Sequence, residues 1–336
     1  MNDERILLEH GGGGLLSHEL IARHFVPLFR NPWLDKLEDG AVVEIDGARI
    51  CLTTDSYVVL PPFFPGGDIG SLAVHGTVND LAVCGATPLF LSAAVILEEG
   101  FPLADLDRIV RSMADAAAAA GVRIVTGDTK VVARGAADGI FINTSGIGAV
   151  RYPGTLSVQS IVPGDAVILS GFLGDHGAAV LSARQDLGLR TEILSDSAPL
   201  NGLVAAALAA SPRVHCMRDA TRGGLGSILA EIAAQSGREI TVEERSIPVR
   251  EEVRGVCEIL GLDPLFLANE GKLALFCPGE EAGRVLLAMK GHPLGQDAAI
   301  IGTVGETRKG RLVLCTAIGG SRVVDLPTGE LVPRIC

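Results

Sequence analysis

Five aspartates stand in short polar breaks beside apolar stretches: Asp55 in TTDS, Asp68 in GGDIG, Asp80 in TVND, Asp128 in TGDTK and Asp219 in MRDAT. One such aspartate usually caps or solvates a turn. Five of them, with Asn79 beside Asp80, supply hard oxygen ligands from separate segments, the donor set that suits Mg²⁺ and the phosphates it accompanies. Arg222 with Gly223 and Gly224 falls at the start of a helical pattern, where free amides and the helix dipole favour an anion. Gly11, Gly12, Gly13 and Gly14 present backbone N–H groups with no side chains in the way, which makes either a phosphate-covering flap or a plain linker. The chain ends Pro333-Arg334-Ile335-Cys336. A thiolate is a strong nucleophile, and an end kept extended by proline can carry a covalent passenger between two sites. Lys130 and Glu270, taken alone, read as surface ion-pair partners; His10, His18, His75 and His215 share no ligand spacing and read as structural.

The elements that must position these groups follow from patterning. A chain of 336 residues, 48% apolar, is too long for one ordinary core, and two domains are expected. Alternation in GARICLTTDSYVV predicts strands around a loop that holds Asp55 at a strand edge. Ile69 to Cys84 reads as a helix stopped by Gly85. Leu106, Ile109, Val110, Met113 and Ala117 trace one face of a helix over 103–120, and VRIVTGDTKVV and GIFINTSGIGAV read as strands after it. Turn chemistry at Pro153-Gly154 and Pro163-Gly164 places a boundary between a domain over 41–155 and a second α/β domain over 160–318, with helices near 225–236, 251–260 and 280–290. Residues 1–40 form a glycine-rich leader, and 319–336 read as a mobile tail.

A net charge of −12 without a basic stripe argues against nucleic acid. Seven scattered cysteines without a C-x-x-C pair argue against a disulfide framework or structural zinc. A charged start and the lack of a long apolar run imply no membrane and a cytoplasmic setting. The usual nucleotide fingerprints GxxxxGK[ST] and GxGxxG between strand and helix are missing, so a nucleotide site here is of another type.

HGGGG, TTDSYVVLPPFFPGGDIGSLAVHGTVNDLAVCGATP, TGDTKVV, MRDATRGGLG, ANEGK and the terminal PRIC span nearly the whole chain, and together they resemble the HypE family of hydrogenase maturation proteins. That family belongs to the superfamily of aminoimidazole ribonucleotide synthetase and selenophosphate synthetase. The resemblance implies an α/β (α+β), two-domain PurM-like fold whose N-terminal sheets pair across a homodimer, with ATP and Mg²⁺ as cofactors. By matching motif, Asp55, Asp80, Asp128 and Asp219 would hold the metal; Asp68, Asn79, Arg222 and the Gly11 to Gly14 loop would serve the nucleotide. Cys336 would receive a carbamoyl group from HypF, ATP would drive its dehydration to a thiocyanate with Glu270 or Lys130 as base, and a HypC–HypD complex would take the cyanide. Two rivals stand beside this reading: a small-molecule ATP-dependent kinase or synthetase that ignores Cys336, and a non-catalytic module with a docking tail.

Overall fold

In a computed structural model, which describes residues 5–184, 191–307, 309–329, 332 and 334–336, the chain builds two large sheets. The first contains β1 (Ala41–Ile45), β2 (Ala48–Tyr57), β5 (Ala86–Glu98), β6 (Arg123–Val132) and β7 (Ile140–Val150), in the order β1-β2-β7-β5-β6. Two short strands, β3 (Phe63–Phe64) and β4 (Gly67–Asp68), form a hairpin beside it. Within the first sheet, among the described residues, only the β5–β6 pair is parallel, and the helix that crosses between its strands is α4 (Leu103–Ala120). The second sheet orders β14 (Ser321–Val324), β13 (Arg311–Cys315), β10 (Glu239–Glu243), β12 (Ala299–Val304), β8 (Asp165–Leu169), β11 (Leu273–Pro278) and β9 (Cys216–Asp219).

Short helices α1 (Leu15–Leu20) and α2 (Val26–Phe29) occupy the leader; α3 (Ile69–Val83) lies on the first sheet, and α5 (Asp175–Ser182), α6 (Asn201–Ala210), α7 (Gly224–Ser236), α8 (Glu251–Leu260) and α9 (Gly279–Lys290) belong to the second half. Helix α3 is buried on nearly every side. Its apolar residues are spread round the axis rather than gathered in one stripe, as suits a helix enclosed between layers, and its polar residues His75, Thr77, Asn79 and Asp80 are hydrogen-bonded. Its residues pack under β2, β5 and β7 and also meet α4, α6 and β9, so it joins the two halves. Ile109, Met113, Ala116, Ala117 and Ala120 of α4 face the core as the periodicity predicts, whereas Val110 is half exposed at the edge of that stripe.

Two expectations change. Asp55 lies inside one continuous ten-residue strand, not in a loop between two; β2 pairs through it with β7, Asp55 opposite Thr144. Polar side chains suggest a break, yet alternation lets a strand carry them on one face without interruption. The segment from Gly319 is not simply an aperiodic tail, because Ser321–Val324 closes the second sheet as an edge strand on β13. Four residues are too few to show a period. The last residues are docked against the first domain, where Ile335 is only 4% exposed among Val59, Phe64 and Val180. Pro333, expected to stiffen this end, lies outside the described residues.

Candidate active site

The functional side chains converge where β2, α3, β9 and the start of α7 meet. Strand alternation points Thr53, Asp55 and Tyr57 to the α3 side of β2. Thr53 donates its hydroxyl to Asp80 Oδ2 at 2.7 Å, and the Tyr57 hydroxyl lies 3.2 Å from Asp55 Oδ2. Helix α3 supplies Asp80 and, at Gly76, the clearance for Tyr57: a Cβ there would meet the phenol oxygen at 2.1 Å. Strand β9 supplies Arg218 and Asp219, and Arg218 donates to Asp39 Oδ1 at 2.8 Å. Asn79 stitches the two halves together, receiving Leu200 N–H at 2.7 Å and donating to the carbonyls of Ala198 and Glu270.

Electrostatics set this cluster apart. Burial raises the carboxyls of Asp80 and Asp219 well above the ordinary range, and repulsion adds to it, first from Asp55 at Asp80 and from Asp39 at Asp219. Glu270 is raised likewise by burial, then by Asp219, Asp196 and Asp55, with Arg222 opposing. Tyr57 is pushed up by burial and by Asp55. Glu270 Oε1 is buried without a hydrogen-bond partner. Buried carboxylates that repel one another, with one oxygen unpaired, are a donor set short of positive charge. That fits a divalent cation brought with phosphate. Among the described residues, however, no three carboxylate, cysteine or histidine groups stand close enough to enclose a metal by themselves, so phosphate oxygens would have to complete its shell.

Above the cluster lies the glycine run. Arg222 donates to the Gly11 carbonyl at 2.9 Å, and Gly14 packs against residue 327, where a Cβ would come within 2.4 Å of the Pro327 carbonyl oxygen. On one side of this loop is a cavity of about 240 Å³ lined by Asp39, Asp219, Arg218 and Arg222. On the other is a cavity of about 170 Å³ lined by Gly11, Gly12, Arg222, Gly223 and Cys336. The negative charge of Cys336 at the chain end is the largest influence holding up the pKa of Arg222, ahead of Asp55 and Glu270.

Cys336 is held there by a strand-like edge. Val58 N–H donates to a Cys336 oxygen at 3.0 Å and Leu60 N–H to the Arg334 carbonyl at 3.1 Å, while Arg334 Nε returns a bond to Val58 O and the guanidinium pairs with Asp138. Burying Ile335 contributes roughly 2 kcal/mol to this docking. From the other side, His176 contacts the Ile335 carbonyl at 2.8 Å.

The structure thus gathers Cys336, Glu270, Arg222, Gly11 to Gly14, Asp55, Asn79, Asp80 and Asp219. Three expected residues fall elsewhere. Asp68 caps α3, its Oδ1 accepting Gly70 and Ser71 N–H groups at 2.8 and 2.9 Å. Asp128 and Lys130 pair with each other at 2.7 Å on exposed β6. Asp128 is in register with Ala94 and through it with Asn143 and Ser56, which puts it on the face of the sheet opposite Asp55. Sequence reasoning missed Asp39, Thr53, Tyr57 and His176. Tyr57 was within reach of a period-two argument from Asp55; Asp39, in a polar turn, gave no signal.

Two family descriptions match the chain: AIR synthase related protein, N-terminal domain, over residues 37–150, and AIR synthase related protein, C-terminal domain, over residues 162–315. Fold and site therefore define an AIR synthase related, PurM-like protein. Carbamoyl dehydratase HypE of Azotobacter vinelandii is 56% identical over 327 residues, covering 97% of this chain and 96% of that one. A crystal structure of HypE in complex with ATP is 49% identical, with a TM-score of 0.82 over 99% of this chain and 100% of that chain. A HypE–HypF complex structure gives a TM-score of 0.87 at 49% identity, over 92% of this chain and 99% of that chain. The chain belongs to the HypE family of carbamoyl dehydratases.

Proposed function

We propose that this protein is an ATP-dependent carbamoyl dehydratase that works on its own end: a carbamoyl group carried on Cys336 as an S-carboxamide is converted to a thiocyanate, the cyanide source for the Fe(CN)₂CO centre of [NiFe] hydrogenase. The single observation that carries this reading is the seat of Cys336 in a cavity shared with Arg222 and the glycine loop, beside the buried carboxylates. An amide oxygen is a poor leaving group. Transfer of the γ-phosphoryl group to it turns the departure into loss of phosphate, and removal of both N–H protons leaves S–C≡N with ADP and phosphate as the other products.

Each residue has a part in that scheme. Asp55, Asp80 and Asp219 would hold Mg²⁺ with the phosphates, and the metal would neutralise charge on the transferring group. Arg222 and the N–H groups of Gly11 to Gly14 orient the nucleotide near the chain end. Glu270, whose burial raises its pKa well above the ordinary carboxylate range and which leaves one oxygen unpaired, takes a proton from the carboxamide nitrogen. Within one chain Lys130 and Asp128 lie on the face of the first sheet turned away from this group.

A homodimer gives them a role. Leu52, Phe90, Ile96 and Ile147 leave the face of the first sheet that carries Asp128 and Lys130 uncovered and apolar, the surface expected to pair with a second copy. In that assembly Lys130 would serve the partner's site. HypF is the expected carbamoyl donor, and a HypC–HypD complex the acceptor of cyanide. Among the described residues no helix is long and apolar enough to cross a membrane.

Intact mass and peptide mapping after incubation with the donor system and ATP test the reading. The peptide ending in Cys336 should gain one carbamoyl group and then lose one water, and a Cys336→Ala chain should do neither. Modification at another residue would overturn it.

A further inference from the structure

We infer that His176 is the positioning residue that holds the chain end in the site, and that Ser195 orients the imidazole for that task. The inference rests on the reading of Cys336 as the carrier. Arg334 takes a left-handed backbone conformation, φ 52°, that turns the chain just before its last two residues. Here the Arg334 carbonyl and a Cys336 oxygen turn toward the N–H groups of Leu60 and Val58, whereas the Ile335 carbonyl between them turns the other way, to His176. The tail is therefore clamped between a backbone edge and one side chain.

The ring is built for this contact. His176 is fully buried on α5, with Nε2 2.8 Å from the Ile335 oxygen and Nδ1 2.8 Å from Ser195 Oγ. A carbonyl only accepts, so Nε2 carries the hydrogen, and the bare Nδ1 of the neutral ring accepts the Ser195 hydroxyl. Phe64 meets the ring edge to face, centroids 5.3 Å apart. Ser195 is fixed in turn: its N–H donates to the Pro65 carbonyl at 2.8 Å and its Oγ accepts Ser197 N–H at 3.1 Å. Between those serines, Asp196 accepts the Glu270 N–H at 3.1 Å through Oδ1 and pairs with Lys272 at 3.0 Å through Oδ2. One short turn thus supports both the seat of the thiol and the residue proposed to deprotonate its cargo.

The test compares His176→Phe, which keeps a flat ring and loses the donor, with His176→Gln, whose amide nitrogen can reach the same carbonyl. A maleimide probe on the full chain, read by peptide mass, reports access to Cys336, with half-buried Cys315 as the internal reference. His176→Phe should speed Cys336 labelling about tenfold relative to Cys315, as expected for one lost buried hydrogen bond. It should also slow dehydration of the carbamoylated chain by a similar factor, leave the KM for ATP unchanged, and be largely reversed in His176→Gln. Ser195→Ala should loosen the tail by a smaller factor, and it decides the matter with His176→Gln if His176→Phe does not fold. Unchanged labelling in folded His176→Phe, or in Ser195→Ala alongside a Gln variant as loose as a side chain without a donor, would overturn the inference. If wild-type Cys336 takes up no carbamoyl group, the carrier reading fails while the labelling ratio still judges the clamp.

Discussion

The two faces of the first sheet carry acidic residues of the same type in opposite environments. On the α3 face, Asp55 and Asp80 share a buried pocket with Asp39, Asp219 and Glu270, and the shared burial pushes Asp80, Asp219 and Glu270 toward protonation. On the other face, Asp128 sits in the open, and its hydrogen bond to Lys130 holds it below the ordinary carboxylate range. One region concentrates like charge that a proton or a bound cation relieves; the other is already paired with a lysine in the open. Each aspartate stands in a short polar break with a threonine within three residues, TTDS and TVND on one face and TGDTK on the other. Function follows the side of the sheet each residue faces.

The largest expected effect breaks the buried side of this comparison. Glu270→Gln keeps the shape and removes the base, so dehydration of the carbamoylated chain should fall by about a hundredfold or more in single-turnover mass spectrometry, with ATP binding retained. A loss of only a few-fold would move the base to another residue and leave the unpaired Glu270 oxygen to the cation alone.

The next prediction addresses the exposed face. Lys130→Ala should also be inactive in dehydration if Lys130 serves a partner's site, yet mixing it with Glu270→Gln should recover activity. Random re-pairing makes half the dimers mixed, each with one intact site, so about a quarter of all sites revive. If Lys130 worked within its own chain, every site in the mixture would carry a lesion and none would revive. An Ile96→Asp change on the same face should abolish the recovery by preventing pairing, which analytical ultracentrifugation would register as a monomer.

What the sequence displayed, and what it hid, follows the same division. Helices half in water were legible because polar and apolar residues segregate on them, as α4 and α8 do. Helix α3 has no such segregation, yet Leu72, Val78, Leu81 and Ala82 near helical spacing with Gly85 as a stop made it legible. Asp80, Asp219 and Arg222 were legible as a set because each interrupts an apolar run. Asp68 met that same test and turned out to cap α3, since a capping carboxylate and a ligand carboxylate leave the same trace in a sequence. Asp128 and Lys130 fall on the opposite face of the sheet for a different reason: the motif TGDTK says nothing about which face β6 turns outward. His176 and Asp39 were invisible because their partners lie 159 and 179 residues away, at Ile335 and Arg218.

The smallest effect at neutral pH sharpens the contrast between buried and exposed ionisable groups. His75 lies on α3, 8% exposed, with Nδ1 2.9 Å from Ser197 Oγ, and burial lowers its pKa to about 4. Between that value and the ordinary 6.5 the unfolded chain binds a proton that the folded chain refuses, so stability is full above pH 6.5 and falls as the pH drops toward 4. His75→Asn removes this dependence. The gap between wild-type and variant stabilities should therefore be constant above pH 6.5 and shift in favour of the variant by up to about 3 kcal/mol in acid, measured by urea unfolding. Asp128→Asn is the exposed counterpart. Its pair with Lys130 is open to solvent, so whatever it changes should vanish in high salt, whereas the His75 effect should persist because desolvation, not an ion pair, is its cause. A salt-sensitive His75 curve would mean that charges around α3 govern the ring, and the buried face would then have to be treated as an electrostatic network rather than as a dry interior.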